Sequence, residues 1–207
     1  MGCWASAGAQ RFKGRGALFL DRDGVVVREV GYLHRPRDVA LEVRAAEVVA
    51  AYNRTGVPVV LVTNQSGVAR GYFGWPDFEA VQARIAGLLA AGGAHLDAVF
   101  ACGCHADGLG SMAVDDHPWR KPAPGMFLAA AEQMDIDLAC SVVVGDRADD
   151  LAAGRAAGLP IGLHVATGHG GRKEQVEAAA LERPGFQVTL APDIGGALDL
   201  LPRFAEA

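Results

Sequence analysis

The feature that most constrains this chain is Gly16 to Val27, GALFLDRDGVVV, where a short apolar run meets two carboxylates one residue apart, Asp21 and Asp23. The apolar part reads as a buried strand. A strand that stops at Asp-x-Asp-Gly sets polar groups at its carboxyl end, where open parallel sheets keep their sites. Two acids held so close repel each other unless a cation intervenes. Mg²⁺ suits them, because it takes carboxylate and backbone oxygens and leaves room for water and phosphate. The competing reading is a polar strand end running into a turn, and the rest of the sequence has to choose.

A length of 207 residues suits one α/β core. We expect an irregular N-terminal leader over residues 1–16 and a single domain over 17–207. Nineteen Lys and Arg against 24 Asp and Glu give a formal charge of -5. No dense basic run accompanies aromatics, which argues against an extended nucleic-acid footprint. Neither a signal-peptide core nor a membrane-length apolar run is present, so a cytoplasmic monomer acting on a small molecule is expected. Four cysteines, Cys3, Cys102, Cys104 and Cys140, are too few and too uneven for a disulfide-stapled secreted domain.

Along the chain, Val43–Thr55 has helical spacing and closes on Gly56, and Pro58–Thr63 follows as a β-branched central strand. This strand, helix, strand repeat implies parallel pairing with a right-handed crossover. Phe78–Ala91 reads as helix, Leu96–Ala101 as strand, Gly125–Met134 as helix and Ser141–Val144 as strand. Asp149–Ala157 then reads as helix, with strands near Pro160–Val165 and Phe186–Leu190 and a closing helix over Ile194–Phe204. Such alternation predicts an α/β fold with a doubly wound, mostly parallel sheet. The segment between Cys102 and Pro124 has neither period, and a structureless loop of that length is usually functional or held by something other than apolar packing.

Four polar clusters follow the predicted strands: Asp21-Arg22-Asp23, Thr63-Asn64-Gln65-Ser66, Arg120-Lys121, and Gly145-Asp146-Arg147 with Asp150. In a parallel sheet those ends converge on one pocket. Phosphoryl transfer is largely a matter of positioning and charge. Asp21 can be a nucleophile that forms an aspartyl-phosphate, and Asp23 the acid that protonates the leaving oxygen and then the base that activates water. Asp146 supplies a further carboxylate for the metal, while Thr63 and Lys121 can hold phosphoryl oxygens. Each has a plainer alternative: a strand-end hydroxyl for Thr63, a solvated charge for Lys121, helix caps for Asp146 and Asp150.

DRDGVV at Asp21, VTNQSGVARG from Val62, RKPAPGM from Arg120 and GDRADD from Gly145 resemble the four motifs of the haloacid-dehalogenase-like (HAD) phosphohydrolases, specifically the branch of D,D-heptose 1,7-bisphosphate and histidinol-phosphate phosphatases. The resemblance spans roughly Leu18 to Ile194. It implies a Rossmann-like HAD fold without a large cap domain, and a Mg²⁺ held by the Asp21 carboxylate, the Asp23 carbonyl and Asp146. It also implies Thr63 and Lys121 as phosphate stabilisers, Arg120 and Arg147 as substrate contacts, and Glu29, Val30, Gly31 and Tyr32 with Asn64, Gln65 and Ser66 lining the sugar side. The expected reaction is hydrolysis of a small sugar phosphate, foremost the C7 phosphate of a D-glycero-D-manno-heptose 1,7-bisphosphate. The alternatives are histidinol phosphate and, in another class, a non-catalytic protein that binds an anionic metabolite.

Cys102 and Cys104 have a spacing that suits Zn²⁺, with His105 and His117 within loop reach, so a structural zinc loop over 102–119 is possible. The branch commonly binds zinc through Cys-x-His followed by Cys-x-Cys ahead of the Arg-Lys motif. Aligned on Arg120-Lys121, Cys102 and Cys104 fall on the first pair, and His117 and Trp119 on the second. Trp119 cannot ligate. The fourth place would fall to His105, Asp115 or Asp116, or else the thiols are free and the loop folds around Trp119.

Overall fold

The computed structural model describes residues 2–6 and 11–204. Seven strands form one sheet in the order β1-β4-β3-β2-β5-β6-β7. They are β1 (Cys3–Ala5), β2 (Leu18–Leu20), β3 (Val59–Asn64), β4 (Ala98–Cys102), β5 (Val142–Gly145), β6 (Ile161–Val165) and β7 (Gln187–Ala191). All pairings are parallel except that of the edge strand β1, which runs antiparallel to β4 with Cys3 opposite Cys102. The stretch expected to be an irregular leader therefore supplies a strand, a correction that three residues of mixed character could not signal.

The central strands are apolar up to their carboxyl ends, where β3 finishes on Thr63 and Asn64, and the apolar positions split by parity. Leu18, Leu20, Val59, Leu61, Val142 and Val144 face one core, whereas Phe19, Val60, Val62 and Val143 face the other. Alternate side chains point to opposite faces, so a strand with no polar face must be covered twice. On the first face lie α1 (Ala45–Arg54), α3 (Trp75–Ala91) and the closing helix Ile194–Phe204. On the second lie α4 (Gly125–Met134), α5 (Ala148–Ala156) and α6 (Arg172–Ala179). The one-turn α2 (Ser66–Ala69) follows β3, with no counterpart in the sequence reading. The same holds for α6, a polar helix with Ala178 as its single buried residue, which leaves no apolar stripe to detect.

The closing helix is wound as 3₁₀ and contains Pro202. It is pinned to α1 by the buried Tyr52 hydroxyl, which donates to the Ala197 carbonyl at 2.7 Å. No helix among the described residues is long and apolar enough to cross a membrane. From β2 the chain winds one way through β3 and β4, and from β5 the other way through β6 and β7. The reversal between β2 and β5 is where such a sheet opens a crevice at its carboxyl ends.

Candidate active site

Asp21 follows β2 and Asp146 follows β5, so the two carboxylates flank that reversal. Asp21 keeps strand geometry, its amide donating to the Val144 carbonyl at 3.0 Å. Beside it the chain turns back at Gly24, which has φ +81°, and meets Gly168 at φ +58°. A β-carbon on either glycine would strike the Asp146 carboxylate, so only the bare backbone lets the two loops close around that side chain. The His169 amide donates to Asp146 Oδ2 at 2.6 Å, and the Thr167 hydroxyl donates to the Gly24 carbonyl.

Asp21, Asp146 and Asp150 offer oxygens that all lie within 4.8 Å of one another. Lys121 meets two of them, with Nζ 2.6 Å from Asp21 Oδ1 and 2.6 Å from Asp150 Oδ1, and it also donates to the Val62 carbonyl at 2.8 Å. Asp150 thus does two things: its Oδ2 accepts the Arg147 amide as a cap of α5, and its Oδ1 holds Lys121. Burial pushes the Asp21 carboxyl up, and Asp150 and Asp23 add to the rise against the opposing charge of Lys121, so that it settles at about 7. Burial, then Asp21 and Asp150, raise Asp146 to about 8. Burial alone would lower Lys121, but Asp150 and Asp21 outweigh it and keep the ammonium charged. One cation thus faces three buried acids. The donor set, all hard oxygens with negative charge in excess, fits Mg²⁺.

The pocket has a volume of about 430 Å³. Asp21, Asp23, Thr63 and Lys121 line it together with Glu29, Gly31, Tyr32, Asn64, Gln65, Ser66, Arg120 and Arg147, as the sequence reading grouped them. Val30 is the exception: its side chain is exposed and it is not on the wall. Two others do work of a different kind from contact with a sugar. Asn64 holds the backbone of Lys121, and Gln65 spends its amide on Thr63, Asp23 and Arg22. His169 also borders the pocket, 3.5 Å from Glu29. Nothing in the sequence marks it, because the Thr-Gly-His turn carries no strand-end acid.

The long loop departs from its expected ligand set. Cys102 and His117 are together, but their third neighbour is Cys3 from β1, the three groups lying within 4.8 Å. Sγ of Cys3 is 3.6 Å from His117 Nε2, and Sγ of Cys102 is 3.7 Å from His117 Nδ1. Cys104 is buried beside Cys102, its thiol facing the Gly2 carbonyl at 3.7 Å. His105 is elsewhere: its ring lies against Arg70 and Asp107 and on the wall of the same pocket as Asp21 and Lys121. A hydrogen bond with Cys102 favours the Cys3 thiolate, while that bond and burial keep Cys102 protonated in the absence of metal.

The HAD-hydrolase-like family model matches residues 118–194. The D-glycero-beta-D-manno-heptose-1,7-bisphosphate 7-phosphatase of Mesorhizobium japonicum is 42% identical over 185 residues, 89% of this chain and 80% of that protein. The D-glycero-D-manno-heptose-1,7-bisphosphate 7-phosphatase of Thermosynechococcus vestitus is 40% identical over 89% of this chain and 94% of its own. The chain belongs to the HAD-like heptose-bisphosphate phosphatase family. The fold agrees: the D,D-heptose 1.7-bisphosphate phosphatase of B. bronchiseptica, solved with magnesium and phosphate, superposes with a TM-score of 0.78 at 32% identity, covering 93% of this chain and 99% of that one. This chain is thus a phosphoric monoester hydrolase, and the carboxylates of Asp21, Asp146 and Asp150 converge on its pocket.

Proposed function

We propose that the chain removes the C7 phosphate of a D-glycero-D-manno-heptose 1,7-bisphosphate. The observation that carries this reading is the set of cations on one small pocket: Lys121 touches Asp21, while Arg120 and Arg147 stand on the wall beyond it. One phosphoryl group needs one such partner. Two further guanidinium groups suit a second phosphate or the hydroxyls of a sugar, for which their planar donor forks are made. The relatives that bear the heptose-bisphosphate name supply the substrate class.

In the first half-reaction an Asp21 oxygen attacks phosphorus and the bond from phosphorus to the C7 oxygen breaks. The electron pair stays on that oxygen, which takes a proton from Asp23. In the second half the Asp23 carboxylate takes a proton from water, the water oxygen attacks phosphorus, and the bond to Asp21 breaks to restore the carboxylate and free phosphate. Thr63 and Lys121 hold the equatorial oxygens, and Lys121 offsets part of the charge that builds there. Magnesium, when bound by the Asp21 and Asp146 carboxylates and the Asp23 carbonyl, supplies the remaining positive charge.

A zinc held by Cys3, Cys102 and His117, with the neighbouring Cys104 thiol as fourth ligand, is part of the same proposal. Its support is the clustering of soft ligands around His117, which replaces the ligand set expected from the loop alone. His105 is left out because Arg70 and Asp107 already engage its ring.

The experiment is a panel of phosphate esters assayed with Mg²⁺: both heptose bisphosphate anomers, histidinol phosphate and p-nitrophenyl phosphate, with Asp21→Asn as control. The heptose bisphosphate should give the highest kcat/KM, and D21N should release no phosphate. Preference for histidinol phosphate would overturn the substrate, and turnover by D21N would overturn the nucleophile.

A further inference from the structure

Arg22 is 1% exposed, and the mechanism above gives it nothing to do. Burying a guanidinium is costly unless its charge and donors are met. Among the described residues its ion-pair partner is Asp23, engaged by Nε at 3.0 Å and by Nη2 at 3.0 Å, both on the same oxygen, Oδ2. Gln65 closes the arrangement. Its Oε1 accepts from Arg22 Nη2 at 3.0 Å, and its Nε2 donates to Asp23 Oδ2 at 3.1 Å and to Thr63 Oγ1 at 2.8 Å. The Arg22 guanidinium lies 5.5 Å from the Phe78 ring centre, so α3 backs the cation from the far side.

The distribution of donors over Asp23 is lopsided. Oδ2 takes every donor, whereas among the described residues neither Oδ1 nor the buried Arg22 Nη1 has a hydrogen-bond partner. A carboxylate gripped through one oxygen has its plane fixed and its other oxygen left over. We infer that Arg22 and Gln65 are positioning residues that clamp Asp23 by Oδ2 and so fix the orientation of the carboxyl group that gives its proton to the leaving oxygen and later takes one from water. This rests on the acid and base role proposed for Asp23, and it moves Gln65 from sugar contact to the proton-transfer apparatus. The same amide ties the clamp to Thr63, so the proton donor and a phosphoryl-oxygen ligand hold a common register.

The test uses the dependence on leaving group, which a merely structural arginine would not alter. Single-turnover release of the leaving group is measured for the heptose bisphosphate, a poor alkoxide leaving group, and for p-nitrophenyl phosphate, which departs without a proton. Arg22→Met keeps an apolar stem beside Phe78 and removes the fork. It should slow alkoxide release on the order of 10²-fold, within the usual span of general acid catalysis, and slow nitrophenolate release less than about tenfold. Gln65→Leu should show the same selectivity to a smaller degree and serves if Arg22→Met does not fold. Arg22→Lys should recover part of the alkoxide rate, since it restores charge without the fork. Equal losses on both substrates, or an unaffected alkoxide rate, would overturn the clamp. Asp23→Asn separates the two levels: if D23N is selective and R22M is not, only the clamp falls, and if D23N itself is not selective, the role of Asp23 falls with it.

Discussion

Asn64 grips the backbone of Lys121 from both sides, its Nδ2 donating to the Lys121 carbonyl at 3.0 Å and its Oδ1 accepting the Lys121 amide at 3.1 Å. The end of β3 is thereby joined to the loop that presents the ammonium to Asp21. Asn64→Ala should leave both backbone groups without their partners, at about 1–3 kcal/mol for two hydrogen bonds. We expect a lower Tm and a kcat/KM reduced at least tenfold, read by thermal melts and steady-state assays. An unchanged kcat/KM would mean that Lys121 is placed by its own ion pairs.

Gly168→Ala should weaken the metal site. The position has φ +58°, which costs an L-residue about 1–2 kcal/mol, and the new methyl would press on the Asp146 carboxylate. The circular dichroism spectrum should survive, while the magnesium concentration for half-maximal activity rises. Activation at the parent concentration would show that the Asp146 loop yields without consequence.

Magnesium should stabilise the protein more at about pH 8.5 than at about pH 6. In the metal-free fold Asp21 and Asp146 titrate near 7 and 8, above the unfolded carboxyl value of about 3.9. The native state therefore holds more protons than the unfolded chain between those values. Stability from these groups is full below about pH 4 and is lost as pH rises through 7 to 8. Magnesium takes the place of those protons, so its gain in Tm grows across the same window. A gain that is flat with pH would contradict it.

Cys3→Ser should lower the zinc content of protein purified without chelator from about one per chain to well below that, together with Tm, because metal binding there is folding energy. Parent protein that is zinc-free and indifferent to chelator would remove the zinc and leave Cys3 as a strand partner of Cys102.

What could be read from the sequence followed from local signals. The central strands are legible because they are apolar runs, β-branched in β3 and β5, that stop at polar motifs, and α4 lies at Gly125–Met134 as expected. The site motifs were legible for the same reason, as strand-end clusters that a parallel sheet must gather. What escaped notice depends on distance. Cys3 lies about a hundred positions from Cys102, and only the antiparallel edge pairing brings them opposite each other. The sequence sets Gln65 and Asn64 on the pocket wall, but which neighbour each amide takes is a three-dimensional matter. Asp150, balanced between cap and site in the sequence, turns out to use one oxygen for each.

The closure of Gly24 and Gly168 around Asp146 also bears on how the chain acquires its activity. The Thr167 hydroxyl and the Gly24 carbonyl that seal this junction are 143 positions apart. Contacts that distant carry the largest loop-closure entropy and belong to the slow part of assembly. A nascent or refolding chain can thus form β2, β3, α1 and α3 without being able to assemble the metal-binding acids. Regain of turnover then acts as a clock for the last docking of the C-terminal half, lagging behind the return of helical signal.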